Sequence, residues 1–81
     1  MRLSEQHYIG FTKSWYRRGV YKHHFVTIVF DNSSKTLSFM CEYKGERIYS
    51  SSENHEIYKS QGDCVEAAMK YIDKRLVEIT E

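Results

Sequence analysis

With 81 residues the chain makes a single domain, of a size that buries only about 60–65% of its unfolded surface, so it has little interior for an enclosed active site and gains from self-association. A composition 41% hydrophobic and 28% charged argues against disorder, and no run approaches the roughly 20 apolar residues of a membrane-spanning helix. The net charge of +1 excludes a uniformly basic or acidic protein, but residues 1–30 carry five Lys/Arg against Glu5 while residues 31–81 carry seven against ten acids, a split of +4 and −3.

Residues 1–6 lack the apolar core of a signal peptide, and two cysteines do not make a disulfide framework. A cytoplasmic protein with reduced thiols is expected, with no membrane partner.

Residues 6–13 alternate well enough for a first strand, with Ile9 and Phe11 on one face and Tyr8 and Thr12 on the other, interrupted by Gly10. Residues 14–19 have no usable period and end in Gly19, which reads as a loop. A second strand is expected over about residues 20–31. Lys13, Trp15, Tyr16, Arg17, Arg18 and Lys22, with His23 and His24 beside them, form the densest cluster of basic and aromatic side chains. Guanidinium planes and aromatic rings are what an acidic protein surface or single-stranded nucleic acid would need.

The next stretch fixes a register. Val26, Ile28 and Phe30 alternate with Phe25, Thr27 and Val29, residues 31–35 break the pattern, and Leu37, Phe39 and Cys41 resume it over a strand at 36–43. Pairing Phe30 with Leu37 sets Ile28 against Phe39 and Val26 against Cys41. A two-residue loop at Lys44-Gly45, where Gly supplies a positive φ, then pairs Tyr43 with Glu46, Glu42 with Arg47 and Cys41 with Ile48 in a strand at 46–50. A slip of one residue would turn the whole apolar set to the other face.

Residues 50–54 form a polar loop, and residues 55–59 are an optional edge strand, being so short. Asp63-Cys64-Val65-Glu66 has the spacing of a capping box, and Val65, Ala68, Met69, Ile72, Leu76 and Ile79 recur at three and four residues, predicting an amphipathic helix over about 63–79. Lys74 and Arg75 suit the negative end of its dipole, against Glu78 and Glu81.

The expected fold is α+β: an antiparallel meander of four or five strands with the C-terminal helix packed on one face. Ile9, Phe11, Val26, Ile28, Phe30, Leu37, Phe39, Cys41 and Ile48 would meet the helix. The other face would carry Phe25, Thr27, Val29, Ser38, Met40, Glu42, Arg47 and Tyr49, more apolar and aromatic than solvent requires.

No spacing typical of zinc ligands, glycine-rich phosphate loop or paired-carboxylate motif is present, and His23 and His24, adjacent in a strand, would point to opposite faces. Cys64, in the first helical turn, is the one candidate nucleophile. No catalytic residue, metal or cofactor is assigned. Strands followed by a helix resembles the order in double-stranded RNA-binding domains, without their N-terminal helix or their Lys-Lys cluster at the helix start. Residues 62–69 are similar to the helix start of HicB-type antitoxins. Neither resemblance carries a residue role onto this chain. The expected function is a non-enzymatic protein-interaction module, such as an inhibitor of a host or partner protein of the phage anti-defence kind. It would bind through Phe25, Thr27, Met40, Arg47 and Tyr49 of the open face, through the basic hairpin segment, or through both. A homodimer or a partner-dependent state is the expected assembly, and the alternative function is a nucleic-acid-binding module using residues 13–24.

Overall fold

A computed structural model of the chain describes the backbone of residues 1–80 and the side chains of residues 1–78. Five antiparallel strands follow one another in the sheet in chain order: β1 (His7–Tyr8), β2 (Trp15–Tyr21), β3 (His24–Asp31), β4 (Thr36–Tyr43) and β5 (Glu46–Ser50). A 3-10 turn (Ser52–Asn54) and helix α1 (Gln61–Thr80) complete the fold. The helix packs on one face of the sheet, the α+β arrangement expected from the sequence.

The central hairpin has the register that the alternation requires, with Phe30 opposite Leu37, Ile28 opposite Phe39 and Val26 opposite Cys41. These residues are buried with Cys64, Ala68 and Ile72 of α1, apart from Phe30, which packs at the margin of the same cluster. Period-two burial on β3 and β4 thus meets a stripe spaced three to four residues apart on α1. Ile79, assigned to that stripe, and Glu81 lie outside the residues whose side chains are described.

The N-terminal third departs from the sequence reading. The first strand is two residues long instead of spanning 6–13, and residues 15–21, expected as loop and strand start, form β2 throughout. The strand expected over 20–31 is divided by a two-residue turn at Lys22 and His23, with φ of 48° and 67°. Two positive φ values match the twist of a tight hairpin, but the turn holds neither Gly nor Asn to announce it. Ile9 and Phe11, assigned to the core, are exposed instead, because the chain turns back after Tyr8. The turn is closed by Ile9 N–H donating to Ser14 O at 2.8 Å and Thr12 Oγ1 donating to Ile9 O at 2.7 Å.

Gly19 lies within β2 and marks a close backbone approach. A Cβ there would stand 2.7 Å from the Arg2 carbonyl oxygen and 3.1 Å from Met1 Cγ. The absent side chain lets the N-terminal segment run beside β2, where Leu3 bridges Gly19 and Ser4 N–H donates to Arg18 O at 2.7 Å.

Three further corrections affect β5, residues 55–59 and α1. Tyr43 pairs with Glu46 and Glu42 with Arg47 as expected, but Cys41 pairs with Tyr49, not Ile48. Ile48 is the extra residue of a bulge, so the side chains beyond it change face. Residues 55–59 form no strand; Tyr58 makes only an isolated bridge to Leu37. The helix starts earlier than predicted because Ser60, not Asp63, caps it: Ser60 Oγ accepts the Asp63 N–H at 3.1 Å and Ser60 O accepts the Cys64 N–H at 3.1 Å.

Candidate protein-interaction face

Alternation along the strands sends Tyr16, Arg18 and Val20 of β2, Phe25, Thr27 and Val29 of β3, and Ser38, Met40 and Glu42 of β4 away from the helix. The pairs Arg18–Thr27, Thr27–Met40 and Phe25–Glu42 tie these positions into adjoining rows. Val20 and Phe25, cross-strand neighbours, are each 54% exposed. Thr27 faces the same way but is only 5% exposed, since its neighbours rise around it.

Two shallow concavities meet on this face. One, of about 290 Å³, is lined by Ile9, Tyr16, Arg18, Thr27, Val29 and Met40; the other, of about 150 Å³, by Arg18, Phe25, Thr27 and Glu42. Arg18 and Thr27 belong to both. Tyr16 is held by His7, stacked on it at 5.3 Å, while the Arg18 guanidinium sits 5.6 Å from the Tyr16 ring centre. Among the described residues neither Arg18 nor Glu42 has an ion-pair partner. Arg47, opposite Glu42 in the ladder, pairs instead with Glu53 at 2.9 Å.

Tyr49, expected on this face, is not on it. The bulge carries it to the helix side, where its ring stacks on Tyr71 at 4.2 Å and on Phe39 at 5.5 Å and its hydroxyl donates to Glu56. There it lines a different cleft, of about 300 Å³, with Tyr71, Lys74, Arg75 and Glu78. The sequence reading misses this cleft, because a bulge without Gly leaves no local signal.

The basic segment 13–24 does not form one surface. Trp15 stacks on Phe30 at 5.4 Å and packs against the core. Arg17, two residues on and facing the same way, donates from Nε to Ser4 O at 2.7 Å and from its terminal nitrogen to Gln61 Oε1 at 3.0 Å. Lys22 Nζ reaches Asp73 of α1 at 2.6 Å, and the Tyr21 hydroxyl donates to the same carboxylate at 3.0 Å. Those two bonds hold the Asp73 carboxyl below its ordinary range, the Lys22 ammonium contributing most, and Asp73 raises Lys22 in return. Of the basic and aromatic side chains of the segment, Tyr16 and Arg18 join the open face, with Lys13 exposed in the turn beyond.

His23 sits in the tight turn, and His24, facing the helix, is fully buried. The His24 ring stacks on Tyr43 at 4.6 Å, with Nδ1 2.8 Å from the Lys22 carbonyl oxygen and Nε2 3.5 Å from an Arg75 nitrogen. A carbonyl oxygen only accepts and a guanidinium only donates, so this geometry suits a ring with its proton on Nδ1. The Arg75 guanidinium also lies 5.1 Å from the Tyr43 ring centre.

Cys64 is enclosed in the core with Cys41, and burial pushes both thiols up to about 12, leaving almost no nucleophilic thiolate near neutrality. Among the described residues no group of three or more His, Cys, Asp or Glu is placed to hold a metal ion, and no helix is long and apolar enough to cross a membrane. Comparison of the chain with protein-family models, curated proteins and solved structures finds no match in any of the three.

Proposed function

We propose that this chain is a small non-enzymatic protein-interaction module that acts by occupying a protein partner through the open sheet face. The observation that carries the reading is the continuity of that face: two concavities share Arg18 and Thr27, and half-exposed Phe25, which lines one of them, has half-exposed Val20 as its cross-strand neighbour, opposite the face covered by the helix. Aromatic, Met and Arg side chains around a shallow depression are the types enriched at protein contacts. Inhibition of a host or partner protein is the mode of action that suits a domain of this size, and a cytoplasmic setting suits its two reduced, buried thiols.

A nucleic-acid module built on residues 13–24 is the weaker reading, because Arg17 and Lys22 spend their donors on Ser4, Gln61 and Asp73. Affinity capture from a host lysate compares the wild type with Met40→Glu and Phe25→Asp on the face and with Lys59→Glu away from it. Proteins lost with both face variants and kept with Lys59→Glu support the proposal. Identical capture by all four chains refutes it. Oligonucleotide binding that weakens steeply between about 50 and 200 mM salt would favour the nucleic-acid reading.

A further inference from the structure

We propose that the occupant of the open face is a second copy of this chain, placed so that Arg18 of each protomer meets Glu42 of the other. The inference rests on reading that face as a protein-contact surface and names its partner. Arg18 and Glu42 line the same concavity with Phe25 and Thr27 between them, and neither is ion-paired among the described residues of the chain. In the sheet Arg18 stands opposite Thr27, Thr27 opposite Met40, and Glu42 opposite Phe25, so the two charges flank β3 on either side.

A two-fold axis lying in the plane of the contact and crossing midway between them carries each charge onto the other. One copy therefore offers the complementary sign at both positions, and the contact forms twice. A partner surface of one sign could satisfy Arg18 or Glu42 and would leave the other desolvated without a counter-charge, a costly outcome in a buried contact. The same axis passes close to Phe25, whose half-exposed ring would then meet its equivalent. The net charge of +1 puts little long-range repulsion between copies.

The test is a charge-reversal exchange read by sedimentation equilibrium, with circular dichroism on each variant to confirm an unchanged fold. The wild type at about 100 μM should have twice the protomer mass of 9.7 kDa. Arg18→Glu alone and Glu42→Arg alone should each raise the dimer dissociation constant by about 100-fold, roughly tenfold for each of two contacts turned repulsive. Mixed in equal amounts, the two variants should assemble again, because one chain then carries acids at both positions and the other carries bases at both, so opposite charges meet at each contact. The double variant should also dimerise. A monomeric wild type, or folded single variants that dimerise like the wild type, would overturn the inference. If such a monomer still captured a foreign protein in a Met40-dependent way, the contact face would stand with a different occupant. If it captured none, the interaction reading would fall as well.

Discussion

Phe39 and Phe25 are the same residue type on opposite faces of one sheet, and replacing each by Ala tests whether the faces are correctly assigned. Phe39 is 2% exposed, stacks on Tyr49, meets the Tyr58 ring at a tilt, and lies opposite fully buried Ile28. Removing its ring costs the transfer energy of the lost carbons plus a cavity, about 3–5 kcal/mol. A domain of 81 residues has about 4–12 kcal/mol of stability in all, and each kcal/mol moves the midpoint by about 4–8 °C at this size. Phe39→Ala should therefore lower the thermal midpoint by about 12–40 °C or leave the chain unfolded at about 25 °C, and Phe39→Leu should fall between it and the wild type. Phe25→Ala removes a ring already 54% exposed and should stay within about 1 kcal/mol of the parent. Thermal and urea unfolding followed by far-UV circular dichroism provides the measurement, with all variants in the Arg18→Glu background so that assembly does not contribute. A loss below about 1 kcal/mol at Phe39, or equal losses at both positions, would refute the assignment of faces.

Three other outcomes follow from local geometry. Gly19→Ala should destabilise by about 1–3 kcal/mol, since a Cβ would press on the Arg2 carbonyl oxygen; amide exchange at Ser4 should quicken, and unaltered exchange would show that the N-terminal segment is not held there. His23→Gly should stabilise by about 0.5–1 kcal/mol by relieving a φ of 67° at an exposed turn residue, whereas a destabilised variant would mean that the turn is not left-handed. For Asp73, a folded pKa below the ordinary 3.8 means that the stabilisation is complete above about pH 4 and is lost as pH falls through the folded value. The midpoint difference between wild type and Asp73→Asn should accordingly be constant near neutrality and shrink under strong acid, and a difference that persisted at the lowest pH would assign the effect to packing.

The β3–β4 pairing was legible because every large aliphatic between Val26 and Cys41 except Val29 and Met40 falls on one side, and the open-face positions Phe25, Thr27 and Met40 follow directly from it. β2 was not legible, because both of its faces are mixed: Trp15, Arg17 and Tyr21 turn toward the helix and Tyr16, Arg18 and Val20 away from it, so hydrophobicity shows no period. The turn at Lys22 and His23 was hidden for a related reason, since its left-handed residues are not of the types that favour that conformation. At α1 two capping patterns overlap, Ser60 with Asp63 and Asp63 with Glu66, and the earlier one prevails by capping a helix that already runs through Gln61 and Gly62. Tyr49 was misplaced by the bulge at Ile48. Ile9 moved the other way, from the expected core to the rim of a concavity on the open face.

The charge asymmetry of the sequence acquires a structural meaning once the segment 13–24 is divided between two faces. On the helix side Arg17 and Lys22 tie β2 and its turn to Ser4, Gln61 and Asp73, joining the N-terminal segment and the strand to both the start and the middle of α1. Those cations join the two layers at their edge, and their charged groups are engaged within the chain. Arg18 differs from Arg17 only by the strand period, which turns it to the other face, away from every described carboxylate of the helix. There its guanidinium lies against Tyr16 and across the concavity from Glu42. One residue of phase in β2 therefore separates the cations that tie β2 to the helix side from the cation that faces the open side. A pair of substitutions reads this directly: Arg17→Ala should lower the unfolding midpoint, because it leaves Ser4 O and Gln61 without their donor, and Arg18→Ala should leave the midpoint of the dissociated protomer nearly unchanged while weakening whatever binds the open face. The reverse pattern would place the recognition surface on the helix side.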